Sequence, residues 1–210
     1  MTASVGERLV VVLAVPAPDP SPVPSVSPER WEAALLADAV DAAESLAAAA
    51  IAVLCPPRHA DAVAAAAAID TTVWTSEQPT VLEAAERATG AGARQVVVLV
   101  SDAPHLPGLL VGKVFRALGR ADLAICADPR GLASAIGLQL PAAEWLTDMD
   151  PDQTDVADRA KVAAPRPALV RLTPGWRRLR TEADLAALEA AVDGADFTRA
   201  LVGESASRRG

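Results

Sequence analysis

The chain has 210 residues, enough to bury the core of one domain, and no break in composition calls for a second. Apolar residues make up 51% and aromatic ones only 3%, so the core must be built from Ala, Val and Leu, with closely packed helices. A formal charge of −8, with no basic block interleaved with aromatics, argues against a polyanion-binding surface and so against nucleic acid as a partner. The longest apolar stretch, residues 46–55, is about half of the ~20 residues that a membrane-spanning helix requires. Residues 9–17 lack the basic flank of a secretory signal, since Glu7 cancels Arg8, and the chain reads as cytoplasmic.

Residues 8–15 form the first predicted strand, followed by an extended loop with Pro16, Pro18, Pro20, Pro22, Pro24 and Pro28. Ser27-Pro28-Glu29 combines an N-cap, a first-turn proline and an acid that favours the helix dipole, and opens a helix over 28–49. A strand at 50–55 stops at Pro56-Pro57. An Ala-rich helix over 59–68, a short strand at 72–75 and a helix over 79–89 closed by Gly90 and Gly92 come next. Strand 95–100 is a continuous β-branched run, and the helix over 109–118 ends at Gly119. Strands follow at 122–127 and 134–140, then a short helix near Trp145. The acidic stretch 147–158 reads as a loop or a loosely held helix, and 168–172 as a late strand. Thr181-Glu182-Ala183-Asp184 has the form of a capping box and opens an amphipathic helix to about residue 192.

Such alternation specifies a three-layer α/β/α sandwich with a mostly parallel, mixed sheet, because a parallel connection needs a crossover and the crossover is usually helical. One domain over 1–202 and a disordered tail over 203–210 are expected. No Gly-x-Gly-x-x-Gly follows the first strand, which argues against a dinucleotide-binding domain. Cys55 and Cys126 lack partners at metal-ligand spacing and read as buried thiols. The Ala-rich helices with Trp31 and Trp145, where exposed, offer a surface for a homodimer, and nothing in the sequence ranks that above ordinary core packing.

The chemistry concentrates after strand 95–100, in Ser101-Asp102-Ala103-Pro104-His105-Leu106-Pro107. In open α/β sheets ligands gather where such strands end, and an acid there can hold a divalent metal or a sugar hydroxyl; equally, Asp102 can accept backbone N–H bonds in the Pro104 turn. His105, between two prolines with no orienting acid in the sequence, reads as a surface turn residue rather than a base. Ser101 and Ser134 lack the context of a nucleophile elbow.

The Ser101–Pro107 segment, the helix after it and Thr181-Glu182-Ala183-Asp184-Leu185 together resemble the bacterial nucleotide-diphospho-sugar transferase-like family, which has the glycosyltransferase-A fold and is related to nucleotidyltransferases. The resemblance implies a metal-binding role for Asp102 and a nucleotide sugar or small phosphorylated molecule as ligand. Three family features are altered. The loop at 15–28 carries no Lys or Arg where the family grips nucleotide phosphates. Of the family's Asp-Gly-Gly-Tyr-like turn near the sugar, Asp128 and Gly131 are left. The family's Trp-Tyr-Asp-x-Asp-Thr aligns with Trp176-Arg177-Arg178-Leu179-Arg180-Thr181, so two acids have become Arg178 and Arg180.

Arginine cannot coordinate a cation. Two like unit charges ~4 Å apart repel by about 4 kcal/mol at an effective dielectric near 20, and a divalent ion doubles that, so Arg180 at a ligand position disfavours Mg²⁺ or Mn²⁺. Arg177, Arg178 and Arg180 can instead form a solvated charged strand edge, or neutralise a diphosphate directly through bidentate hydrogen bonds. Two functions are therefore expected: a glycosyl- or nucleotidyltransferase with lost or weakened metal-dependent activity, or a non-catalytic binding or interaction protein on the same scaffold.

Overall fold

The computed structural model describes residues 7–46, 49–186 and 195–207. Its strands are β1 (Arg8–Leu13), β2 (Ala50–Cys55), β3 (Thr72–Thr75), β4 (Gln95–Val100), β5 (Leu123–Ala127), β6 (Ala133–Gln139) and β7 (Val170–Thr173). Its helices are α1 (Pro28–Glu44), α2 (Pro57–Ala66), α3 (Val81–Gly90), α4 (Gly108–Leu118), α5 (Val156–Ala163), α6 (Glu182–Ala186) and α7 (Asp196–Ser207). The strands make one seven-stranded sheet in the order β3-β2-β1-β4-β6-β5-β7. All pairings are parallel except those of β6, which runs antiparallel to both β4 and β5.

Alternation along the strands splits the core into two layers. Leu9, Val11, Leu13, Val96 and Val98 face α3 and α5, while Val10, Val12, Val97 and Leu99 face α1 and α4. Because β6 is antiparallel, its first residues lie at the same sheet edge as the last residues of β4 and β5. That edge therefore collects Asp102 after β4, Asp128 after β5, Ala133 at the start of β6, and the segment that leaves β7.

A third, smaller core lies beside this edge. Val23 and Val26 of the proline-rich loop, Trp31 and Leu35 of α1, Leu179, and Leu201 of α7 pack together. The Asp38 carboxylate of α1 caps α7, accepting from Phe197 N at 3.0 Å and Thr198 N at 2.7 Å, and Ser205 Oγ donates to Pro24 O at 2.6 Å. The first loop is thus fastened between the first and last helices.

Several expectations are corrected here. The first helix ends at Glu44 rather than residue 49, with Ser45 closing it. A turn, not a helix, surrounds Trp145. Trp31 is wholly buried in the third core and offers no dimer surface, whereas Trp145 is half-buried. Residues 203–207, expected in a disordered tail, belong to α7, and 208–210 lie outside the described residues. Residues 156–163 of the acidic stretch and its continuation form the regular helix α5. Of the helix predicted over 181–192, Glu182–Ala186 is seen, and 187–192 lies outside the described residues. Cys55 and Cys126 are both buried free thiols. Among the described residues, no helix is long and apolar enough to cross a membrane.

Candidate ligand site at the sheet edge

The site begins with two backbone ties. Ser101 N donates to Leu13 O at 2.9 Å and Val15 N to Ser101 Oγ at 3.1 Å, which locks the exits of β1 and β4 together. Leu179 N then donates to Asp102 O at 2.7 Å, laying the segment after β7 against the Asp102 turn. Leu179 turns into the third core while its neighbours Arg178 and Arg180 both reach Asp102, the alternation of an extended chain.

Asp102 and Arg178 form a buried fork-to-fork pair, at 1% and 0% side-chain exposure. Arg178 Nε donates to Asp102 Oδ1 at 2.6 Å and Nη2 to Oδ2 at 2.8 Å. The remaining Nη2 proton goes to Asp152 Oδ1 at 2.6 Å, while Nη1 donates to Pro151 O at 2.8 Å and Ala133 O at 3.4 Å. A guanidinium has five N–H groups, and all five of Arg178 are therefore engaged. Arg180 Nη1 donates to Asp152 Oδ1 at 2.7 Å and Asp102 Oδ2 at 3.4 Å; its Nε and Nη2 make no hydrogen bond among the described residues. Two acids and two arginines make a neutral quartet.

Burial pushes the Asp102 carboxyl upward, against the pull of Arg178 and then Arg180, and Asp152 adds to the push. Burial also works against the charged form of Arg178, but Asp102 and then Asp152 hold its guanidinium above the ordinary range. The bidentate geometry is that of an ion pair, so the cost of burying each charge is offset within the quartet.

A second cluster adjoins it. The buried Asp128 carboxylate accepts from Arg130 N at 2.8 Å, Leu132 N at 3.1 Å and Arg130 Nε at 2.8 Å, and so builds the turn between β5 and β6. Arg130 also donates to Asp184 Oδ2 at 3.0 Å and to Arg178 O at 3.1 Å, tying the turn to α6 and to the quartet. Gly131 has φ +90, and an added Cβ would collide with the carbonyl oxygen of Thr154. Here glycine admits the acidic 147–155 loop against the turn.

The positions expected to carry function thus converge on one edge, in altered roles. The Asp102 oxygens accept from arginines rather than from backbone N–H groups of the Pro104 turn. Arg178 is neither a solvated edge nor an open clamp, since it is enclosed and saturated, whereas Arg177 is exposed and Arg180 keeps 21% side-chain exposure. Asp128 and Gly131 shape a turn. His105, read as a surface residue, is 6% exposed, with its ring 5.5 Å from that of Trp176. Burial, then Arg177 and Arg199, lower its pKa to about 4. Its Nδ1 has no hydrogen-bond partner among the described residues.

Asp152 and Arg130 were not singled out in the sequence, and Asp184 only as part of a capping box and of the family resemblance. The available signal was complementary charge: Asp148, Asp150, Asp152 and Asp155 in one loop against three arginines at 177–180.

The residues do not fit a Mg²⁺ or Mn²⁺ centre, which needs a shell of oxygen ligands. The two acids of the quartet, Asp102 and Asp152, have two guanidinium groups against them, and the adjoining Asp128 is committed to Arg130 and to the backbone of its turn. Among the described residues no group of three or more His, Cys, Asp or Glu side chains could hold a metal ion. Beside Pro151 the same loop walls a cleft of about 230 Å³, closed on its other side by Pro79 to Leu82 at the start of α3.

The seven-stranded mixed sheet between helical layers has the glycosyltransferase-A or nucleotidyltransferase-like fold. By sequence, no family model and no curated protein matches the chain. By structure it is similar to a protein from Desulfovibrio desulfuricans G20 assigned as a nucleotide-diphospho-sugar transferase, with TM-score 0.67, 20% identity, and 96% of each chain covered. It is also similar to Rv0371c of Mycobacterium tuberculosis H37Rv, solved in complex with manganese, with TM-score 0.57 and 17% identity over 94% of this chain and 98% of that one. A third likeness is to a CMP:2-keto-3-deoxy-manno-octonic acid synthetase solved with CTP, at TM-score 0.57 and 11% identity over 87% and 97% of the two chains. At these identities the likeness establishes the fold.

Proposed function

We propose that this protein binds a nucleotide sugar or related phosphorylated ligand at the carboxyl ends of β1, β4 and β5, and that it does so without a divalent metal. The observation that carries this reading is the pairing of Asp102 with the enclosed guanidinium of Arg178. The Asp102 carboxylate is sealed at 1% exposure with two guanidinium groups against it, so a divalent cation would meet like charge there, and breaking the pair with Arg178 to admit one would leave a buried charge uncompensated. The loop after β1 supports the same conclusion, since it offers no cation and buries Val23 and Val26. Charge neutralisation of a transferred phosphoryl or glycosyl group rests on metal and cationic loop together, so metal-dependent transfer is lost or much weakened here. What the scaffold retains is a binding site.

The test is calorimetric titration of the full chain with a panel of UDP-, GDP- and CDP-sugars, once in EDTA and once in Mn²⁺. At least one ligand should bind with the same affinity under both conditions and show no turnover. Binding or turnover that appears only with Mn²⁺ would reinstate a metal-dependent transferase.

A further inference from the structure

We propose that the Asp152 carboxylate is a built-in substitute for the diphosphate group of the ligand: it sits on Arg178 and Arg180 in the place an anion would take, and a diphosphate must displace it to bind. This deepens the metal-free reading above and rests on it for the identity of the edge as a ligand site.

Three features support displacement. The first is the position of the carboxylate. Asp152 Oδ1 accepts from both guanidinium groups, at 2.6 Å from Arg178 and 2.7 Å from Arg180, yet its side chain is 36% exposed while Asp102 beneath it is sealed. The arginines are held from below and covered from above by an acid in contact with water.

The second is that the backbone does not depend on this contact. Pro151 O accepts from Ala133 N at 3.0 Å and Arg178 Nη1 at 2.8 Å, and Asp152 N donates to Asp150 Oδ1 at 2.9 Å. Turning the Asp152 side chain out would break none of these backbone hydrogen bonds.

The third is charge and donor supply. With Asp152 in place, two acids and two arginines sum to zero; with its carboxylate turned out, Asp102, Arg178 and Arg180 leave one net positive charge at the seat. That seat presents one Nη2 proton of Arg178 together with Nη1, Nη2 and Nε of Arg180, the last two already without partners among the described residues. Guanidinium groups so arranged suit adjacent phosphate oxygens better than a lone carboxylate. Intramolecular competition by Asp152 would keep the seat closed to small monovalent anions.

The experiment is titration of inorganic pyrophosphate, orthophosphate and UDP into the full chain in EDTA, for the unaltered protein, Asp152→Asn, Asp152→Ala and Asp152→Asn/Arg180→Ala. Thermal melts check that each is folded. Both Asp152 variants should bind pyrophosphate at least tenfold more tightly than the unaltered chain, and removal of Arg180 should abolish the gain. A UDP gain matching that for pyrophosphate marks a nucleoside diphosphate as a ligand source; a gain for pyrophosphate alone marks the free anion. Equal affinity in the unaltered and Asp152 proteins, or a gain that persists without Arg180, overturns the proposal. The two readings fail separately. Nucleotide-sugar binding that ignores Asp152 sinks this inference alone, and a pyrophosphate gain with no nucleotide-sugar binding sinks the wider reading alone.

Discussion

Replacing Arg178 with Met should be among the most damaging single changes in this protein. Met keeps much of the aliphatic length but removes all five donors, so Asp102, 1% exposed, would keep only the 3.4 Å contact from Arg180. Breaking a buried pair by removing one partner costs about 3–5 kcal/mol, a large share of the ~5–15 kcal/mol by which domains are folded. Asp102→Leu alone should also be costly, because it leaves Arg178 Nε and one Nη2 proton without acceptors in the interior, although Asp152 and two carbonyls still hold the guanidinium. Asp102→Leu/Arg178→Met removes both charges and should recover much of the loss, giving a coupling energy of about 3 kcal/mol. Urea unfolding of the four proteins at pH 7 measures it, repeated in 1 M NaCl, where an enclosed pair should be screened little. If the double variant loses the sum of the two single losses to within about 0.5 kcal/mol, the two side chains act independently and the account of the site is wrong.

Three further outcomes follow from the geometry. The pKa of His105 lies near 4 in the fold against an ordinary 6.5, so the unfolded chain holds the extra proton between those values and stability falls as pH drops through that window. The full contribution is about 3 kcal/mol, and the loss of stability between pH 7 and 4.5, read by urea midpoint, should be smaller in His105→Phe. Gly131→Ala forces a side chain into the left-handed region and against Thr154, and should cost more than about 1 kcal/mol while loosening the 147–155 loop in hydrogen exchange. Asp38→Ala removes the acceptor of two α7 amides and should cost about 0.5–2 kcal/mol, with faster amide exchange across α7 and little change across β4.

Much of the fold was legible because one signal repeats. The β-branched run at 95–100 and the caps and prolines that bound α1 and α3 are local features, and local features are what a sequence displays. The last helix was illegible for the opposite reason. The chain from Gly203 was expected to be a disordered tail, and what makes 196–207 helical is non-local: the Asp38 cap and the burial of Leu201 in the core that Trp31 and Val23 share. The site divides in the same way. Asp102, Arg178 and Arg180 stand at positions a motif can mark, and their convergence followed from alignment with an acidic pattern. Their enclosure did not, because it depends on Leu179 burying between them and on Asp152 arriving from a loop with no periodicity. His105 was misread on the same grounds: two flanking prolines suggest a surface turn, whereas residues distant in sequence, Trp176 among them, pack against it.

The enclosed guanidinium of Arg178 is a counter-ion that cannot dissociate. An ion held by ligands is governed by mass action and leaves when its free concentration falls, whereas a cation on a covalent stem is present once per molecule at any dilution. The same tether fixes its charge at one and its reach at the length of a side chain. An electrostatic centre of this kind is insensitive to chelators and to exchange among metals, and only a change in the gene can retune it.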